Sequence, residues 1–350
     1  MSIRLMVGAN EAYVSSRAKS RRKQLADRVR LRQLIHQSPD QLTVAVADIG
    51  YRAEIDQYAG LMTGGDLVEA ALTQNLQKEL SRITSLCSGN MLELVQAYSM
   101  RHTYSNAKVV LRSVVNEVSQ EKIAHSILPE QNELNVPWLQ MIEASSTLRE
   151  AAEQLRKLPF GKALTSLPEE SKLEAYEDAL DKHYFSSALK RVEKGSGPAS
   201  QLRILIQCEI DNRNIINLLE ASAVGLRKES IQNRLVPGGR LIPKSRLASA
   251  ANADRDGLLD LLRQDSRFDI AGFEEAISQS DENKTLDPVI IWLREREMAA
   301  MRRMSYLHPV SALPVIHYIA AKVQEVADLR LIVRGRLAGL PTEVLEAHIL

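Results

Sequence analysis

One pattern constrains this chain more than any other: a helical hairpin spelled three times, once in each third of the sequence. The clearest copy runs from Glu209 to Gly239, a second from Glu325 to Leu350, and a fainter one from Thr103 to Pro129. Asn106, Asn214 and Asp328 stand 108 and 114 residues apart. In that frame Val110, Leu218 and Ile332 coincide, as do Leu111, Leu219 and Val333, and then Val118, Leu226 and Leu340. Glu121, Glu229 and Glu343 are identical, two residues before Ile123, Ile231 and Leu345. Apolar positions three and four apart describe one buried helical face. Gly225 and Gly339, each followed by Leu, stand where a helix end needs a left-handed residue. Pro341 and the neighbouring acids suit the first turn of the next helix.

The repeat extends upstream. VEAALTQNL (Val68–Leu76) parallels YEDALDKHY (Tyr176–Tyr184), and Val46, Ile49, Tyr51 and Ile55 match Leu155, Leu158, Phe160 and Leu164. In the third copy LLDLLRQDSRF followed by FEEAI is the nearest equivalent. The unit is therefore about a third of the chain, which predicts segments 1–130, 131–243 and 244–350. The polar, Pro-bracketed stretch Pro129–Pro137 closes the first, and VPGGRLIP (Val236–Pro243), with Pro237, Gly238 and Gly239 in its turn, closes the second. Glu193–Ser200 and Ser278–Pro288 read as loops, the latter as a mobile one. Aromatic residues make up 4% of a chain with 16 Gly and 12 Pro, and no alternating strand pattern flanked by hairpin turns occurs. The expected fold is all-α.

The chemistry-bearing motifs are missing. GKAL at Gly161 lacks the upstream Gly and the Ser/Thr of a phosphate loop. Seven His are scattered, and the spacing of His308 and His317, with Pro309 and Pro314 between, does not place both on one helix face; a structural role is favoured over a metal. Cys87 and Cys208 make neither a disulfide framework nor a metal box and are read as reduced and buried. A formal charge of +1 argues against a nucleic-acid binder. No leader with a cleavage site and no bilayer-length apolar run is found, so a cytoplasmic protein is expected.

Two charged features remain. Arg17, Lys19, Arg21, Arg22, Lys23, Arg28, Arg30 and Arg32 cluster with only Asp27 opposing them, along a stripe of Val14, Ala18, Leu25 and Val29. This is either a solvated face, a seat for an acidic partner or an attraction to anionic headgroups. The polar entries of the hairpins, Asp211 with Asn214 and Glu325 with Asp328 and Arg330, either tie helices together or line a partner surface.

EIDNRNIINLLEASAVGL…LVPGGRL and HPVSALPVIHYIAAKVQEVADLRLIVRGRLAGLP resemble the C subunit of A/V-type rotary ATP synthases, a relative of the d subunit of vacuolar ATPases. The pattern is carried by His308, Pro309, Tyr318, Lys322, Glu325, Leu329, Arg330, Leu331, Ile332, Gly339, Leu340 and Pro341. Glu220 departs from it, where the family more often has Arg. The resemblance implies three helical lobes in a pseudo-threefold funnel, no catalytic site and no cofactor. It further implies a rotor component between the D and F subunits of the central shaft and the membrane ring of c/K subunits, peripheral on the cytoplasmic face. The competing expectation is a free helical-repeat adaptor that binds an acidic partner through its basic N-terminal helix.

Overall fold

The structure, a computed structural model, describes residues 2–124, 127, 136–226 and 228–349. The fold is all-α, with no strand among the described residues. The chain divides into two compact units, residues 1–173 with 305–350, and residues 174–304.

The first unit begins with α1 (Ser2–Arg22), α2 (Arg28–Ile35), α3 (Pro39–Val46) and α4 (Arg52–Tyr58). Gly50, at φ 116°, bends the chain between α3 and α4, a conformation that a side chain at Cβ resists. Next come α5 (Gly64–Thr84), α6 (Gly89–Ser99), α7 (Arg101–Val115) and α8 (Gln120–Ile123), then α9 (Val136–Glu143), α10 (Leu148–Gln154) and α11 (Gly161–Thr165). The second unit takes nearly all of α12 (Leu173–Val192), then α13 (Pro198–Ala223), α14 (Lys228–Arg234), α15 (Leu247–Asn252), α16 (Arg255–Arg263), α17 (Ile270–Asn283) and α18 (Asp287–Leu307) through residue 304. The chain then returns to the first unit with α19 (Ala312–Leu337) and α20 (Thr342–His348).

Each repeated hairpin is a long helix, one left-handed residue and a short helix. The left-handed residues are Glu117 (φ 51°), Gly225 (φ 62°) and Gly339 (φ 71°). In each, the amide one residue later reaches back to the helix: Val118 to the Ser113 carbonyl at 2.9 Å, Leu226 to Ala221 at 3.0 Å and Leu340 to Gly335 at 2.8 Å. This is the six-to-one closure of a Schellman ending. The same closure ends α17 at Lys284, so it belongs to helix stops in general rather than to the repeat alone. Pro341 stands one residue earlier than a first-turn proline, as the N-cap of α20.

Burial follows the repeat. Val68, Leu72 and Leu76 on α5 are buried, as are Tyr176, Leu180 and Tyr184 on α12. Val46, Tyr51 and Ile55 are buried, like Leu155, Phe160 and Leu164. The third copy has a counterpart of α5 and α12 that its sequence hides: α18, with Val289 and Leu293 buried where α12 has Tyr176 and Leu180.

Packing runs from each copy's hairpin to the start of the following segment. α7 packs on α9 and α10, with Tyr104 and Phe160 ring centroids 4.7 Å apart. On α13 and α14, Ile215, Leu218, Leu219 and Ile231 share a core with Leu258, Leu262, Phe273 and Leu293 of the third segment. α19 and α20 place Val326, Leu329, Ile332, Val333 and Leu345 in a core with Leu31, Leu42, Tyr51 and Leu72 of the first. The two compact units thus cut across the sequence segments: residues 136–173 group with the first and third hairpins, and residues 244–304 with the second.

Other expectations are corrected. Ser278–Pro288 is mostly helical, because α17 continues to Asn283 and α18 starts at Asp287. The N-terminal stripe is broken between α1 and α2, where Asp27 caps α2 through a 2.9 Å bond to the Arg30 amide; Val14 and Ala18 are buried, but Val29 is exposed. The junction at Pro129–Pro137 lies almost wholly outside the described residues.

Candidate functional site

α13 carries polar side chains at positions 207, 211, 214 and 217, spaced so that all share one helical face. That face holds the link after α14 along its length. Asn217 donates to the Arg234 carbonyl at 3.1 Å. Asn214 makes a two-way pair with Val236, donating to its carbonyl and accepting from its amide, both at 2.8 Å. Gln207 donates to the Gly238 carbonyl at 3.3 Å. Asp211 accepts from Arg240 and Leu241 at 2.8 Å and from Ile242 at 3.0 Å. Asp211 and Asn214 are buried, so the polar backbone of an irregular link finds partners without water. Burial pushes the Asp211 carboxyl above its ordinary pKa, against the pull of the three amides. Pro237 offers no amide, and Gly238 has φ 114°. At Gly239 a Cβ would lie 2.2 Å from Asp211 Oδ1, so the close approach requires glycine.

The matching face of α19 does a related job. Glu325, the counterpart of Asp211, accepts from the Ala26 amide at 2.6 Å, in the link that leads into α2. It also accepts from Tyr51 OH at 2.7 Å and Lys322 Nζ at 2.8 Å. Lys322 Nζ donates to Tyr51 OH at 2.8 Å and sits 4.3 Å from the ring centroid. Burial, then Glu325, drives the Tyr51 phenol well above its ordinary pKa. Asp328 is buried and accepts from Gln324 at 2.8 Å. Arg330 donates to Thr73 Oγ1 at 2.5 Å, with burial lowering its pKa. Asp211 and Asn214 thus work together in the second unit, and Glu325, Asp328 and Arg330 lie on α19 in the first.

No motif of the sequence marks a third cluster. Glu79 on α5 binds Arg21 of α1 and accepts from Tyr318 OH at 2.6 Å. Burial acts to raise the Glu79 pKa, but the bonds from Arg21 and Tyr318 win and hold it below the usual carboxylate range. An acid three residues beyond Leu76, beside the buried side of α5, was the available signal. The basic cluster is accordingly split. Arg21 turns to Glu79, Arg22 meets His317 Nδ1 at 2.6 Å, and Lys19 donates to the Pro309 carbonyl at 2.8 Å. Arg17, Lys23, Arg28, Arg30 and Arg32 are exposed.

His317 is buried in α19, while His308 lies in the link before it. Among the described residues no group of three or more His, Cys, Asp or Glu could hold a metal ion, and no helix is long and apolar enough to cross a membrane. Both cysteines are free thiols; Cys87 is buried, which pushes it up to about 11, whereas Cys208 is half-buried.

Fold and interior together define an all-helical protein whose buried polar groups hold the links between helices. The chain belongs to the ATP synthase (C/AC39) subunit family, whose profile matches residues 14–348. It is 28% identical to the C subunit of the A-type ATP synthase of Haloferax volcanii over 98% of each chain. It is 26% identical to the protein of the same name from Methanosarcina acetivorans, over 95% of this chain and 90% of that one.

Proposed function

We propose that the chain is a non-catalytic central-stalk component of an A-type rotary ATP synthase. It couples the D and F subunits of the shaft to the membrane ring of c/K subunits, and is held at the cytoplasmic face of the membrane through the complex. The observation that carries this reading is similarity along nearly the whole length of relatives named as the C subunit of A-type ATP synthases. The family resemblance implies the further reading of three lobes around a pseudo-threefold axis. Within the two units each hairpin docks on the opening of the segment after it, and the third docks on the first. Each lobe then combines one hairpin with the opening of the next segment, and the lobes exchange terminal helices. Torque transfer needs stiffness, and close-packed helices with pinned links supply it within each unit.

The test is to tag the chain in its own cells, solubilise membranes in mild detergent, cross-link and identify what co-purifies. Shaft and ring subunits are expected, with cross-links to both. A stable complex lacking every other rotary-ATPase component would overturn the proposal.

A further inference from the structure

Beside the link that Asp211 holds, the second unit opens into a cavity of about 370 Å³. Arg240, Arg246 and Arg267 line it, and Asp265 is the one acid in its wall. Arg267 closes on Asp265 through Nε and Nη2, both at 2.9 Å, which offsets that charge and leaves the guanidinium with donors to spare. Arg240 and Arg246 pair with no carboxylate among the described residues. The cavity therefore concentrates two uncompensated positive charges in a concave wall.

The wall is also set in advance. Asp211 fixes the backbone of Arg240 and Leu241, a 2.8 Å bond from the Arg246 amide to the Pro243 carbonyl closes the next turn, and the Arg267 amide bonds Asp265 at 2.9 Å. Pre-ordering of this kind lowers the cost of binding. Planar guanidinium forks suit phosphate oxygens, and the volume lies near the lower end of the roughly 300–1,000 Å³ of small-molecule sites. A flat basic face would suit a protein partner better.

We propose that this cavity binds the phosphoryl groups of a small soluble anion, with a diphosphate as the best match to its charge. The proposal does not depend on the rotary reading.

The experiment is calorimetric titration of the purified full-length chain at low salt with inorganic pyrophosphate, ADP, orthophosphate, sulfate and a polyglutamate peptide. Pyrophosphate or ADP is expected to bind one to one, more tightly than sulfate. The tighter of the two identifies a free diphosphate or a nucleotide as the source. Arg240→Gln and Arg246→Gln should each weaken binding at least about tenfold, with unchanged circular dichroism, whereas Arg203→Gln on the exposed side of α13 should leave it unaltered. No binding of any phosphorylated anion at millimolar concentration would overturn the proposal. So would binding indifferent to both arginine substitutions, sulfate binding as tight as pyrophosphate, or binding of polyglutamate alone.

Discussion

Asp211 takes three backbone amides on two oxygens, so Asp211→Ala strands all three at once. The Ile242 amide belongs to a buried residue, and leaving it unsatisfied costs about 1–3 kcal/mol. Arg240 and Leu241 are half-buried, so water can reach their amides and each loss is about 0.5–1 kcal/mol. Removing a charge that burial already disfavours returns part of this, since the Asp211 pKa lies above its ordinary value. The expected destabilisation is roughly 2–4 kcal/mol. Asp211→Asn keeps a carbonyl oxygen for the Arg240 and Leu241 amides, leaves the Ile242 amide without an acceptor and sheds the disfavoured charge, so about 1–2 kcal/mol is expected, less than for Ala. Trp292 lies in the second unit and Trp138 in the first, so a Trp138→Phe background makes urea unfolding by fluorescence report on the second unit alone. Hydrogen exchange at Ile242 should accelerate in the Ala variant. If Asn proves as damaging as Ala, or Ala costs under about 1 kcal/mol, the link is not held by acceptor geometry.

Burial, then Arg101, pulls His102 down to about 4. An imidazole kept neutral in the fold contributes stability above pH 6.5 that is lost as pH falls towards 4, by up to about 3 kcal/mol at 1.36 kcal/mol per unit. Trp138 fluorescence should record that loss, and His102→Gln should flatten the profile across that window; an unchanged profile sinks the assignment. Glu117→Gly relieves a left-handed residue on an exposed turn and should stabilise by about 1 kcal/mol in denaturant, whereas a neutral or negative change contradicts the strain. Lys322→Met leaves Glu325 buried without its cation and should cost about 3 kcal/mol. The Lys322→Met/Glu325→Gln double variant should cost clearly less than the sum of the singles, and strict additivity would refute the pair.

The repeat and its turns were legible because a helix stop is a local event. Gly225 and Gly339 announce the left-handed residue through backbone sterics alone. Glu117 occupies the same conformation without announcing it, since the closing bond from Val118 holds it there despite its side chain. The sequence hides the place of α18 in the repeat because Val289 and Leu293 keep burial but not residue type with respect to Tyr176 and Leu180. The stripe from Val14 to Val29 assumed one continuous helix, and the Asp27 cap turned Val29 to solvent.

The sequence by itself determined the all-helical class, the three hairpins and the polar residues at their entries, because periodicity and turn sterics act within a few residues. Only the tertiary structure decided what those polar residues hold. Asp211 reaches amides about thirty positions away, and Glu325 reaches Ala26 across nearly the whole chain. Hydrogen-bond partners depend on the path that the backbone takes between them, and that path is set by which hairpin packs on which segment.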